Sequence, residues 1–218
     1  VSSQTHPTAS EDLGDGGEYV EGYLPDDESL CAARARADDF GCQPVSASVG
    51  STLRFLAAAV QARAVVEIGT GTGVSGLYLL YGMVRDGVLT SIDIEPEYHR
   101  VARASFREAG FPTGCARLIM GRALDVLPRL TPGGYDMVFV DSALAEYPRC
   151  YEHAVALLRP GGVLAFHNVL ASGRVADPAK RDPETLALRE VARALREDER
   201  LVPAMLPMGG GLLVAALA

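Results

Sequence analysis

No stretch of this sequence approaches the roughly 20 consecutive apolar residues that a bilayer-spanning helix requires. The polar, acidic N-terminal stretch VSSQTHPTASEDLGDGG contains no hydrophobic segment of the kind that directs export. Basic residues are in deficit: 20 Lys and Arg stand against 28 Asp and Glu, a formal charge of −8. No broad basic face is therefore expected, and with it no general affinity for nucleic acid. Cysteine is scarce. Cys31, Cys42, Cys115 and Cys150 form no C-x-x-C pair and no metal-ligand spacing, which fits reduced thiols in a cytoplasmic protein. The Gly-Lys-Ser/Thr ending of a P-loop is also missing, which argues against nucleoside triphosphate chemistry. What remains is an acidic chain of 218 residues, long enough for one domain with a sizeable core.

Within that chain the stretch Val65 to Gly76, VVEIGTGTGVSG, carries most of the information. Its start is apolar and β-branched, as in a buried parallel strand. Gly69, Gly71 and Gly73 then alternate, allowing a tight turn and close approach of a ligand to the backbone. After Gly73 the apolar spacing becomes helical, at Leu77, Leu80 and Tyr81. Strand, glycine loop and helix make the form of a nucleotide-type cofactor site. A G-x-G-x-x-G match exists at Gly71, Gly73 and Gly76, but counted from Gly69 the register fails at Val74. Glu67, at the strand end, would repel a pyrophosphate and suit a cationic or amino-bearing ligand. Asp93 ends the next strand, VLTSID, where a carboxylate can accept the hydroxyls of a ribose. Together the two acids favour S-adenosylmethionine over NAD.

Strand patterns recur at Ala64–Gly69, Val88–Asp93, Cys115–Gly121, Tyr135–Asp141 and Gly161–His167. Helical patterns lie between them, near 74–85, 96–110, 124–130 and 147–159, and Pro160-Gly161-Gly162 reads as a sharp stop and restart. This alternation predicts a doubly wound parallel sheet with ligands at the C-terminal strand ends, where Glu67, Asp93, Asp141 and His167 all fall. Two further strands, 201–208 and 212–217, flank Gly209-Gly210-Gly211 as a hairpin. Helices are expected over 26–40, 47–61 and 184–200, the second capped by Ser46. Residues 1–17 read as a mobile tail and 18–218 as a single domain. The Gly-, Pro- and charge-rich segment 171–183 reads as a loop; Arg174, Lys180 and Arg181 could meet an acidic substrate there, or be merely solvated.

In order along the chain, VVEIGTGTGVSG, SIDIEPEYHRVARASFREAG, GRALDVLP, YDMVFVD and LLRPGGVLAFHNVL resemble a class I S-adenosylmethionine-dependent methyltransferase, and more narrowly the catechol and caffeoyl-CoA O-methyltransferases. The resemblance runs from about Pro44 to the C-terminus. It implies an α/β, Rossmann-like, seven-stranded and mostly parallel sheet with a C-terminal antiparallel hairpin and added N-terminal helices. It also implies methyl transfer to an oxygen of a small-molecule acceptor, and a homodimer.

Matched motif to motif, the resemblance places Glu67, Gly69 and Thr70 under the methionine moiety, with Val45 covering the cofactor and Ser75 at its carboxylate. Asp93 takes the ribose, Ala123 lies by the adenine, and Asp141 sits between cofactor and acceptor. In the resembling enzymes the acid matching Asp141 and a following Asp-Asn pair bind a divalent metal, and a lysine acts as base. Here Asp141 and Asn168 match, His167 replaces the second Asp, and Leu144 replaces the lysine. Three roles for His167 stay open at this stage: general base, metal ligand, or a structural or cofactor contact. Open too are a fold that binds the cofactor without catalysis, an NAD-type oxidoreductase, and methylation of N, S or RNA.

Overall fold

The computed structural model describes residues 13–218. Three helices come first: α1 (Leu13–Gly22), α2 (Glu28–Asp39) and α3 (Ala47–Ala59). The alternating part follows as β1 (Ala64–Ile68), α4 (Val74–Gly82), β2 (Val88–Asp93), α5 (Pro96–Glu108), β3 (Ala116–Met120), α6 (Ala123–Val126), β4 (Tyr135–Val140), α7 (Tyr147–Leu157) and β5 (Leu158–Phe166). It closes with α8 (Pro183–Glu197), β6 (Leu201–Leu206) and β7 (Leu212–Leu217). The seven strands form one sheet in the order β3-β2-β1-β4-β5-β7-β6. β1 to β5 are parallel, and β7 pairs antiparallel with both β5 and β6. This is the mostly parallel sheet with a terminal hairpin that the sequence suggested.

Successive residues of the central strands feed opposite faces. Val66, Ile68, Val138 and Val140 join one core with residues of α6, α7 and α8. Val65, Met137 and Phe139 join the other, with residues of α2, α3, α4 and α5. Burial on both faces explains the continuous β-branched runs that marked these strands. Ser46 caps α3 as expected, and Asp27 caps α2 by accepting Leu30 N–H at 2.9 Å.

Two boundaries differ from expectation. Pro160-Gly161-Gly162 does not stop a helix and restart a strand; it lies inside β5, which begins at Leu158 and slips register against β4 between Tyr135 and Met137. A bulge absorbs the irregular residues there without ending the pairing. The expected tail at 1–17 lies largely outside the described residues, but 13–17 open α1. That helix is tied down from its far end, where Glu21 accepts Ser48 N–H at 3.0 Å and the Ser48 hydroxyl.

The segment 171–182 folds as a 3-10 turn, Ala171–Ala176, and a short connection to Asp182, the cap of α8. Arg174 donates to Asp182 at 3.0 Å and to Glu184 at 3.2 Å, and Arg189 donates to the carbonyls of Val175 and Lys180 at 3.0 and 2.8 Å. Arg174 thus serves the loop itself, which accounts for its charge without an acidic substrate.

At the N-terminal edge of the sheet, opposite the glycine loop, Asp136 accepts the backbone N–H groups of Arg63 and Ala64 at 2.7 and 2.8 Å and Arg159 Nε at 2.5 Å. Burial raises its pKa, but these donors outweigh burial and hold it below the usual carboxylate value. A depressed folded pKa means stability that is present above the ordinary Asp pKa and lost as pH falls through the folded value. Asp136→Ala is expected to destabilise the fold by about 3 kcal/mol, since it orphans two N–H groups and a guanidinium. Chemical denaturation at neutral pH checks this, and the deficit should shrink in acid.

Candidate functional site

The turn after β1 is built on a close contact. Gly69 has φ +97, and a Cβ there would lie 1.9 Å from the Asp141 carbonyl oxygen. Any side chain would push the glycine loop off the end of β4. Beneath that loop lies Glu67, fully buried. Ser75 Oγ donates to its Oε1 at 2.7 Å, and Ser91 Oγ to its Oε2 at 2.5 Å. Burial raises the Glu67 pKa, the two serines lower it, and the charges of Asp141 and Asp93 raise it again; the result is pushed up to about 7.

Asp93 holds the loop from its other side. Its Oδ2 accepts the N–H groups of Thr70 and Gly71 at 2.8 and 3.1 Å, and its Oδ1 accepts Glu95 N–H at 3.1 Å. One carboxylate therefore fixes the loop while retaining acceptor capacity toward the cleft. The Thr70 hydroxyl turns inward to Ser91 Oγ at 2.7 Å.

Two cavities open over these residues. The first, about 150 Å³, is lined by Cys42, Pro44, Val45, Thr70, Val74 and Ser75, among others. The second, about 360 Å³, is lined by Ile94, Glu95, Arg122, Ala123, Ser142 and Glu146, among others. Gly69, Asp93, Tyr98 and Asp141 line both, so the two are halves of one cleft across the ends of β1, β2 and β4. Joined, they reach the size range of small-molecule sites.

Seven of the expected contacts, Val45, Gly69, Thr70, Ser75, Asp93, Ala123 and Asp141, line this cleft. Glu67 does not; it lies beneath the floor, with both oxygens taken by serines. His167 and Asn168 line neither half.

His167 is placed by Asp141 and by the turn between β6 and β7. Its Nδ1 lies 3.0 Å from Asp141 Oδ1 and its Nε2 lies 2.9 Å from Gly209 O. A carbonyl only accepts, so Nε2 carries a proton, and the Nδ1 lone-pair direction is filled by Asp141. Burial lowers the His167 pKa, but the Asp141 bond and charge and the Gly209 carbonyl outweigh it, so the net direction is up. In this geometry both ring nitrogens are engaged, and neither is turned toward the cleft to take a proton from an acceptor. Of the three roles, the structural one is what this geometry supports. Tyr147, fully buried, donates to His167 O at 2.9 Å and fixes the same strand end.

Asp141 and Asn168, the residues expected to hold a metal, are both drawn into contacts within the protein. Among the described residues no three His, Cys, Asp or Glu side chains gather as a metal site. Asp141 spends one oxygen on His167, and Asn168 sits under the hairpin turn, its Oδ1 2.6 Å from where a Gly210 Cβ would be. Leu144, in place of the lysine, packs against the apolar core.

Sequence reasoning missed Tyr98 and Ile94. Tyr98 lies in the first turn of α5 and lines both halves of the cleft. Ile94 follows Asp93 and is 59% exposed, an apolar side chain offered to the larger half. An apolar residue directly after a strand-end acid was the available signal.

A family model described as O-methyltransferase matches residues 30–217. A relative from Mycolicibacterium vanbaalenii, itself named only provisionally as an O-methyltransferase, is 50% identical over 198 residues, which covers 91% of this chain and 88% of that protein. Among solved structures, the O-methyltransferase TomG of Streptomyces achromogenes, involved in tomaymycin synthesis and solved with S-adenosylmethionine, superposes with a TM-score of 0.86. It is 30% identical, with 97% of this chain and 100% of that chain covered. An O-methyltransferase from Bacillus cereus bound to S-adenosylhomocysteine gives a TM-score of 0.85 at 25% identity, covering 95% of this chain and 99% of that one.

Glu67 makes a pH prediction. With its folded pKa raised from 4.5 to about 7, the folded state binds more protons than the unfolded one between those values. Stability contributed by Glu67 is thus full below the lower value and falls as pH rises toward the upper. Glu67→Gln should remove this decline. Thermal denaturation of both proteins without cofactor, from about pH 5 to 8, measures it as a gap that changes with pH; parallel curves would contradict it.

Proposed function

The chain belongs to the O-methyltransferase family and moves a methyl group from S-adenosylmethionine to an acceptor oxygen; from that premise we propose how its residues divide the work. The observation that carries the proposal is Asp141, where the two halves of the cleft meet. The methionine moiety lies in the smaller half, against Gly69, Thr70 and Ser75 and under Val45. The ribose meets Asp93, and the adenine lies between Ile94 and Ala123. Glu67 acts from below by orienting Ser75.

The methyl group then faces Asp141. Its Oδ1 is held by His167, and among the described residues its Oδ2 has no partner. That oxygen accepts the hydrogen bond of the acceptor hydroxyl and directs an oxygen lone pair at the methyl carbon. As the new O–C bond forms, the C–S bond breaks and its electron pair stays on sulfur. The hydroxyl proton passes to Asp141 Oδ2 and from there to water. In-line placement supplies much of the rate, because it converts an encounter into a unimolecular step.

The NAD alternative has no support in this fold. A dinucleotide-binding sheet continues into a second parallel half, whereas β7 here is antiparallel. We also place the chain in the cytoplasm, in keeping with four free cysteines and no described helix long and apolar enough to cross a membrane. A homodimer extends the same reading: Val202 and Met205 on the edge strand β6 are 65% and 43% exposed, apolar surface suited to a second copy.

Calorimetry with S-adenosylhomocysteine tests the cofactor half. Asp93→Asn, which keeps an oxygen for the loop, should weaken binding by about 1.5–3 kcal/mol, at least tenfold. Transfer from labelled S-adenosylmethionine to a panel of phenols tests the acceptor half. Asp141→Asn should retain cofactor affinity and lose about 10²-fold or more in turnover. Full turnover in that variant would refute the role of Asp141.

A further inference from the structure

A hydrogen-bonded imidazole already occupies the middle of this site, and the chain supplies it. His167 is 13% exposed at its side chain and bridges two acceptors, Asp141 Oδ1 at 3.0 Å and Gly209 O at 2.9 Å. One proton sits on Nε2 and another lies between Nδ1 and Oδ1, whichever of the two atoms carries it. The imidazole therefore does for Asp141 what a bound ion would do: it fixes the carboxylate's orientation and offsets its charge.

The turn between β6 and β7 completes the arrangement. Val169 N–H donates to Gly211 O at 3.1 Å and Leu170 N–H to Gly210 O at 2.8 Å, so the glycine turn is strapped along the chain that follows β5. The fit leaves no room for side chains. A Cβ on Gly209 would lie 2.4 Å from Val49 Cγ2, and one on Gly210 would lie 2.6 Å from Asn168 Oδ1. The strap thus packs against half-buried Asn168 and presents the Gly209 carbonyl to His167 in one step.

This donor set is poor for any metal. Magnesium and calcium ask for several oxygen ligands in an octahedral or larger shell, with carboxylates among them. Here one free oxygen of Asp141 and an amide crowded by the glycine turn are what the three residues offer. A first-row ion could accept imidazole nitrogen, but the Nδ1 direction points at Asp141 and Nε2 bears hydrogen. Binding such an ion would first require breaking the Asp141–His167 bond.

We propose that His167 stands in for a divalent cation in this enzyme, tying Asp141 to the Gly209 strap, so that methyl transfer proceeds without a metal ion and on acceptors that present a single phenol-like hydroxyl. The proposal rests on the methyl-transfer reading above. The acceptor class follows from the charge. A metal grips two adjacent oxygens and lowers their pKa, whereas one carboxylate oxygen grips one hydroxyl and takes its proton without lowering its pKa. The reacting hydroxyl must then be acidic enough to part with its proton to a carboxylate alone, as a phenol is, with a pKa near 10.

The test is calorimetric titration of Mg²⁺, Mn²⁺ and Zn²⁺ into the protein saturated with S-adenosylhomocysteine. The wild type should show no saturable one-site binding of any of the three. His167→Asp, which replaces the imidazole with a third oxygen donor, should gain a saturable Mn²⁺ site that Asp141→Ala then abolishes. A wild-type site lost in Asp141→Ala would overturn the proposal, as would a folded His167→Asp protein that binds no Mn²⁺. If that variant does not fold, nuclear magnetic resonance of the wild-type histidine rings decides. His167 signals that stay sharp on adding Mn²⁺ support the proposal, and selective broadening refutes it. Failure to bind S-adenosylhomocysteine at the outset would instead strike the cofactor reading.

Discussion

The site exists because two neighbouring parallel strands send their chains to opposite faces of the sheet. β1 and β4 lie side by side. After β1 the chain enters α4, whose Leu77 and Leu79 pack in one core; after β4 it reaches α7, whose Tyr147 and Cys150 pack in the other. A crevice at such a point is unavoidable, and it is where open α/β sheets bind ligands. What makes this crevice a site is how tightly it is closed at the bottom. Asp141 N–H donates to Ile68 O at 2.8 Å and Gly69 N–H to Ile92 O at 2.9 Å, so the ladder carries on one residue past each strand. The Asp141 carbonyl then occupies the space a Gly69 side chain would need. Loop and carboxylate are thereby held at a fixed distance, and the cofactor half and acceptor half of the cleft share one wall.

Much of this was legible in the sequence, and for physical reasons. The strands are buried on both faces, so their β-branched runs stand out. The glycine loop requires backbone conformations that few residues tolerate. Asp93 and Asp141 terminate strands, where an acid has no packing purpose. The features that were hidden depend on distant partners. β5 runs through Pro160-Gly161-Gly162 because pairing with β4 and a bulge outweigh local preference. α1 contains four glycines within LGDGGEYVEG and has poor helix propensity. Its hold comes from Glu21 on Ser48, 27 residues away. His167 is the sharpest case. Its role is set by Gly209, 42 residues later in the chain, whose carbonyl turns an open imidazole into a bridge. No local pattern could choose among base, ligand and clamp.

The acidic character of the cleft poses its own problem. Glu67, Asp93 and Asp141 are close enough to act on one another, and uncompensated like charges in a partly buried site are costly. Each is handled differently. Glu67 is buried under two serine hydroxyls and held toward its neutral form. Asp93 is surrounded by three backbone N–H groups. Asp141 is paired with His167. Each solution also fixes a structural element: Ser75 at the start of α4, the glycine loop, and the hairpin strap.

That compensation bears on catalysis as well as on stability. Methyl transfer from a sulfonium destroys a positive charge, so the attraction between that charge and nearby carboxylates is stronger in the reactant than in the transition state. Only interactions that strengthen toward the transition state accelerate the chemical step. Three bare carboxylates around the cofactor would bind it tightly and hold the reaction back. With Glu67 kept toward neutrality and Asp141 offset by His167, the third acid of this group, Asp93, meets the ribose rather than the sulfur on the proposed assignment, while Glu95 and Glu146 line the larger half of the cleft. The cleft can then bind a cationic cofactor without stabilising its charge where the reaction must remove it. Asp141 stays free to act on the acceptor through its remaining oxygen.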